Sequence, residues 1–380
     1  MFTIFKTFFY LGWISFGGPA AHIGYFRHTF VEKRHWLSDE EYAQLVALSQ
    51  FLPGPGSSQV GFGLGYKQGG LAGACAAFFG FTLPSVIVML LLALLSSQIM
   101  GNIWFEQVVH GLKLLAVVVV ADAAWGMYQN FCRTRLTTAL CVVTALALLV
   151  FPSIATQMLL LLVAALIGVA LIKNDKVASP SEFKPSLWPL VMFVLLLLVL
   201  PIAATQHSLF TLFNDFFQAG SLVFGGGHVV LPLLQNIVGD KLSQDAFLTG
   251  YAAAQAVPGP MFTFATYIGY VLHPQAPIFG ALVATCAVFL PGFLLMLAVL
   301  KNWQQLANKP KVSGALMGVN ASVVGLLVAA LYQPVFSSAV SSGLDVGLIL
   351  CGFFLHKQIK LPILALVIFF MLAGIVSGGF

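Results

Sequence analysis

Gln50-Phe51-Leu52-Pro53-Gly54-Pro55-Gly56 reads as a helix cut short inside an apolar stretch, and Gln255-Ala256-Val257-Pro258-Gly259-Pro260-Met261 repeats the interruption 205 positions later. The likeness extends outward from both breaks. Phe8-Phe9, Gly12, Phe16-Gly17-Gly18, His22, Leu37-Ser38, Gly65-Tyr66 and Leu83-Pro84 recur in the same order as Phe216-Phe217, Gly220, Phe224-Gly225-Gly226, His228, Leu242-Ser243, Gly269-Tyr270 and Leu290-Pro291. One such match could arise by chance, but an ordered set at near-constant offset marks an internal duplication. The polar stretch Lys173 to Lys184 separates the copies, which places one repeat at 1–172, a linker at 173–185 and a second repeat at 186–380. The apolar N-terminus with Lys6 looks like a secretory signal, yet its twin at Phe216 lies mid-chain, so the stretch reads as retained structure.

Composition sets the solvent. Of 380 residues 59% are apolar and only 8% are Asp, Glu, Lys or Arg, against about 25% charged in soluble domains. Runs such as Ala76 to Leu95, Leu187 to Ala204, Phe279 to Leu300 and Leu361 to Val376 approach the ~20 residues that cross a ~30 Å hydrocarbon core. The net charge of +5 is then a matter of topology. No basic stripe interleaved with aromatics points to nucleic acid, and the expected surroundings are a lipid bilayer. Cys75, Cys132, Cys141, Cys286 and Cys351 lie in or beside apolar runs, with no spacing that suggests a disulfide framework or a metal site.

Between the matched Leu-Pro segments, five spans are expected at about 71–97, 105–130, 136–151, 154–172 and 186–206. The weaker segments 210–228 and 247–271 either both cross or both dip in and return. Either choice leaves an odd total, so the fold expected is an all-α polytopic membrane protein of two inverted-topology repeats with broken or re-entrant helices. If the weak segments return, every Lys and Arg except Lys113 and Lys241 falls on one side, as the positive-inside rule requires. That puts the N-terminus in the cytoplasm and the C-terminus in the periplasm of a bacterial-type inner membrane.

Gly or Pro interruptions at matching positions of inverted repeats point to a transporter's binding site, because broken helices expose backbone polar groups at membrane depth. Pro53, Pro55, Pro258 and Pro260 remove amide donors, and half-helices are expected to begin at Gly56 to Gln59 and at Met261 to Phe264, their free N–H groups suited to an anion. The expected binding set is therefore Gln50, Pro53, Gly54, Pro55, Gly56, Ser57 and Ser58 with Gln255, Pro258, Gly259, Pro260, Met261 and Thr263. Gly17, Gly18, His22, Gly225, Gly226 and His228 mark the second break in each half. An isolated break would be an ordinary kink or a close helix contact; its duplication favours a site. Lys113 sits inside a span and needs a compensating partner, an anion or an interfacial snorkel. His22, Asp122 and His228 are the candidates for carrying a proton, with backbone-satisfied residues as the plainer alternative. No catalytic set, metal set or cofactor motif stands out: G-x-x-x-x-G-K-[ST] is absent, and a hydrolase using Ser57 or Ser58 with His22 lacks G-x-S-x-G. The oligomeric state is open, a homodimer included.

At this point FGGPAAH, WLSDEEY and FLPGPGSSQ of the first copy, with FGGGHVVLPLL and AQAVPGP of the second, resemble the chromate transporter family in its two-domain form. The resemblance implies secondary transport of an oxyanion, chromate efflux being the named activity and sulfate the analogue; anion uptake and a passive channel are the alternatives. The second copy departs at Gln244-Asp245-Ala246, where the first has Asp39-Glu40-Glu41.

Overall fold

The computed structural model describes residues 1–16, 18–99, 103–172, 185–205, 207–223, 230–238, 241–301 and 310–377, and among them it is helical with no strand. The first half runs α1 (Phe2–Ile14), α2 (Gly18–Phe26, continued by a π-helical turn Arg27–Lys33), α3 (Asp39–Phe51), α4 (Gly56–Ile99), α5 (Ile103–Phe131), α6 (Arg135–Val150) and α7 (Ile154–Leu171). The second runs α8 (Leu187–Ala203), α9 (Ser208–Leu222), α10 (Val230–Val238), α11 (Gln244–Ala256), α12 (Phe264–Leu272), α13 (Pro277–Val299), α14 (Pro310–Ala330), α15 (Gly343–Lys357) and α16 (Ile363–Ser377). Gly17, Gly225, Gly226 and His228, and the linker 173–184, lie outside the described residues. Long apolar helical stretches (Gly56–Leu95, which folds back on itself, Glu106–Phe131, Pro277–Val299 and Lys311–Ala339) and several shorter apolar helices make this an all-α polytopic membrane protein.

Local sequence explains where the short helices start, stop and turn back. Ser38 and Glu41 form a capping box that opens α3, and Ser243 caps α11 through the Ala246 N–H. The two prolines that follow end each helix. α4 is not one rod. Gly69 and Gly70 leave helical geometry, Gly70 at φ +59°, and the chain reverses there. A Cβ on Gly65 would strike the Gly73 carbonyl and the Ala77 side chain, groups that a straight helix would hold about 12 Å or more away. Gly269 meets the Gly280 carbonyl in the same way, so α12 and α13 form the equivalent hairpin.

The helices before each break also fold back. Phe8 of α1 packs on Phe26 and Phe30. Glu41 at the start of α3 pairs with Lys67 at 3.1 Å, and Gly250 of α11 lies against the Tyr267 ring of α12. At 1.5 Å per residue, the 13 residues of α11 reach only about 20 Å, short of a ~30 Å core. Segment 247–271 therefore enters and returns within the protein.

Matched glycines seat matched prolines. A Cβ on Gly12 would lie 2.9 Å from Pro84 Cγ, and one on Gly220 would lie 2.9 Å from Pro291 Cγ. The two halves then interpenetrate. Gly54 abuts Gly292 of α13, and beyond that point Phe62 stacks on Phe293 at 4.2 Å while Gly63 faces Met296 and Leu300. Away from the centre, α5 is tied to α15 near both ends, by His110 to Asp345 at 2.8 Å and by Asp122 to Lys357 and His356.

Candidate functional site

The two Pro-Gly-Pro loops are the tips of the broken hairpins, and each is hydrogen-bonded to the opposite half. Gly54 N–H donates to the Val223 carbonyl at 2.7 Å, and Gly259 N–H donates to the Ser15 carbonyl at 2.8 Å. Val223 and Ser15 are themselves matched residues, each directly preceding its Phe-Gly-Gly. Both glycines have positive φ, +121° and +93°, so the loops adopt a backbone that side-chain-bearing residues avoid. Further bonds lock the exchange. Ser85 Oγ donates to the Pro258 carbonyl at 2.6 Å, and Gln59 Nε2 donates to both Pro53 (2.9 Å) and Gly292 (3.1 Å) carbonyls.

At the first tip α4 begins at Gly56 as expected. Its first intrahelical bond joins Gln59 N–H to the Pro55 carbonyl, so the Gly56, Ser57 and Ser58 amides come before the ladder begins. Beside them His22 is fully buried and held at both nitrogens. Nε2 lies 3.2 Å from the Ser15 carbonyl and Nδ1 3.1 Å from Ser57 Oγ. A carbonyl only accepts, so the proton of neutral His22 sits on Nε2, and Nδ1 accepts from the Ser57 hydroxyl. Around this cluster Ser15 Oγ, Ser58 Oγ, Thr82 Oγ1 and Gln59 Oε1 are buried without a hydrogen-bond partner. Each such group costs on the order of 1–3 kcal/mol unless something satisfies it.

The second tip corrects the expected helix start. Residues Met261–Thr263 form a 3-10 turn, and α12 begins only at Phe264. The tighter turn arises because the Thr263 N–H closes on the Pro260 carbonyl at 3.0 Å. The Thr263 hydroxyl bonds the same carbonyl at 2.8 Å, so its proton already has an acceptor within its own turn. Met261 is buried, and its sulfur lies 3.6 Å from Gln255 Nε2. The tips are thus unequal, with the first richer in donors.

Other expected residues are dispersed. Gln50 is exposed at the end of α3, its amide near Gly56, and Gly18 opens α2 at φ +74°. Lys113 is half-buried on α5, the helix against which α11 packs. Asp122 is ion-paired with Lys357 and lies 3.3 Å from His356, a tie between α5 and α15. Sequence reasoning missed Ser15, Gln59, Thr82 and Ser85. The signal for Ser85 was available, since it follows the repeated Leu-Pro at the place where the second copy has Gly292.

The family model described as chromate transporter matches residues 2–169 and, a second time, residues 210–376. The chain belongs to the chromate transporter family. Among curated relatives, a probable chromate transport protein of Synechococcus elongatus is 30% identical over 86% of this chain and 82% of its own length. A chromate transport protein of Pseudomonas aeruginosa is 29% identical, covering 85% of this chain and 78% of itself. An uncharacterized transporter of Methanocaldococcus jannaschii is 28% identical over 86% and 82%. No solved structure matches the chain. As a member of the chromate transporter family it is a multi-pass membrane transporter of an anion and not an enzyme.

Proposed function

We propose that this protein is a secondary transporter that moves a tetrahedral oxyanion, chromate or a sulfate-like dianion, out of the cell across the inner membrane. The observation that carries the reading is the buried, unpartnered Ser58 hydroxyl at the start of α4, beside three amides outside the helical ladder and the Ser57 hydroxyl on His22. A helix N-terminus and hydroxyl donors suit an anion whose oxygens all accept. No cation is required there, and neutral donors hold a dianion without making its release prohibitive.

The repeats are read as inverted, with the first half's hairpins entering from the cytoplasmic face and the second half's from the periplasmic face. Support comes from α13. Leaving its own face at Pro277, it passes the tips at Gly292 and continues along residues 62 and 63 of α4, which run toward the opposite face. Fifteen of the 17 Lys and Arg residues fall on the first face under this arrangement. For a dianion leaving a negative interior the electrical drive is about 4.6 kcal/mol per 100 mV, at ~2.3 per charge.

His22 links a proton to the anion. While it is neutral, the Ser57 hydroxyl proton points to Nδ1; once protonated, Nδ1–H donates instead, and the Ser57 hydroxyl is released toward the substrate. The test is chromate and sulfate flux in proteoliposomes at two pH values. Wild type is expected to transport both, Ser57→Ala and Ser58→Ala to lose flux with expression intact, and His22→Gln to lose the pH dependence. Full flux in both serine variants refutes the site. Accessibility labelling that reaches cysteines placed at 67 and 272 from the same face refutes the inversion.

A further inference from the structure

At the outer end of the α11–α12 hairpin, far along the chain from its tip, lies a cavity of about 420 Å³ lined by Ser208, Thr211, Asp215, Lys241 and His273. Lys241 Nζ donates to Asp215 Oδ2 at 2.6 Å. The Asp215 side chain is only 13% exposed, whereas that of Lys241 is 47% exposed. An ammonium carries three donors, so two remain for another acceptor. His273 is 6% exposed, yet it lines the cavity and its ring has no hydrogen-bond partner among the described residues. Ser208, the first residue of α9, also lines this space, although the amides that follow it are taken by His207: Leu209 N–H donates to its Nδ1, and Phe210 and Thr211 N–H to its carbonyl.

The duplication isolates what is special here. By the offsets of their neighbouring motifs, Asp215, Lys241 and His273 match Thr7, Trp36 and Gly69. In the first half that place is closed. Thr7 bonds back to the Thr3 carbonyl at 2.8 Å, Trp36 packs tilted against Phe30 with ring centroids 4.7 Å apart, and Gly69 is covered by the Met1 and Ile4 side chains. Three positions that are neutral and packed in one copy carry two charges and an unpartnered imidazole around an open cavity in the other. A fold that only needed to seal its second mouth had an apolar solution in its own duplicate.

We propose that this cavity is a second oxyanion site, in which Lys241 and His273 hold the anion at the mouth of the second half while Asp215 keeps the Lys241 ammonium in place. The site rests on the reading of the cargo as an oxyanion but not on where the tips bind it. Equilibrium binding of radiolabelled sulfate to the purified full-length protein tests it. Wild type is expected to bind two sulfates. Lys241→Gln and His273→Gln should each weaken one of them by about tenfold or more, the loss of one hydrogen bond to a charged group, and leave the other unchanged. Lys241→Arg should restore both. Sulfate binding that is undiminished in both Gln variants, whether wild type holds one sulfate or two, overturns the proposal. Ser58→Ala separates the two readings: if the tip site is wrong, both sulfates persist in that variant while Lys241→Gln still removes one.

Discussion

Replacing Gly54 with alanine tests the tip exchange at its tightest point. The residue sits at φ +121°, and a Cβ there would lie 2.9 Å from Gly292 Cα and 3.0 Å from Gln59 Nε2. Backbone strain of this kind costs on the order of 1–3 kcal/mol. The Gly292 contact is with main chain and cannot rotate away, and overpacking of that sort adds about 1–3 kcal/mol. Allowing for partial relaxation, roughly 2–4 kcal/mol opposes the docked tip, a shift of about 30- to 700-fold in its equilibrium. Gly70→Ala is the control, because Gly70 also has positive φ, +59°, but nothing lies within 4 Å of its added Cβ. Thermal melting in detergent should show Gly54→Ala well below Gly70→Ala, and proteoliposome flux should be lost only in the former. Equal melting points and equal flux would show that the Gly54–Gly292 approach contributes nothing and would refute the reasoning.

Ser85→Ala removes the donor that the buried Pro258 carbonyl uses, and a loss of about 1–3 kcal/mol is expected, read as a lower melting temperature. Asp122→Asn breaks an ion pair with partly exposed partners, so about 0.2–1 kcal/mol of stability should go while the pH dependence of flux stays; its disappearance would instead make Asp122 the proton carrier. The Ser38 backbone N–H, and next the Lys67 ammonium, hold the Glu41 carboxyl below the usual carboxylate range. A depressed value stabilises the fold above the ordinary pKa of about 4.3 and loses that contribution as pH falls through the lower folded value. Melting followed between pH 6 and the acid limit, both bounds being about where carboxylates finish titrating, should therefore decline less steeply in Glu41→Gln than in wild type.

Much of the architecture was legible in the sequence because membrane helices declare themselves by length and apolarity. The five expected spans from 71 to 206 correspond to residues 71–99 of α4 and to α5, α6, α7 and α8. Pro-Gly-Pro carried part of the rest, since it can end a helix in few ways, whereas the reversal at the doubled glycines 69 and 70 emerged only from the structure. What the sequence concealed was partnership. Nothing in a single chain says that the Gly54 amide finds Val223 and not a residue of its own half, because that bond depends on how two repeats dock. Inequality between the tips was also hidden. Gly56-Ser57-Ser58 and Met261-Phe262-Thr263 occupy matching places, but only hydrogen-bond geometry shows that the Thr263 hydroxyl is turned inward to Pro260 while Ser58 is left without a partner.

The exchange of tip bonds has a consequence for assembly. Each half holds the acceptor that completes the other, Val223 for Gly54 and Ser15 for Gly259, so a half made alone would leave its tip amide with nothing to meet it. Cutting the chain between 173 and 184 should accordingly yield two fragments that fail separately and recover when produced together, each serving as the template on which its counterpart finishes folding.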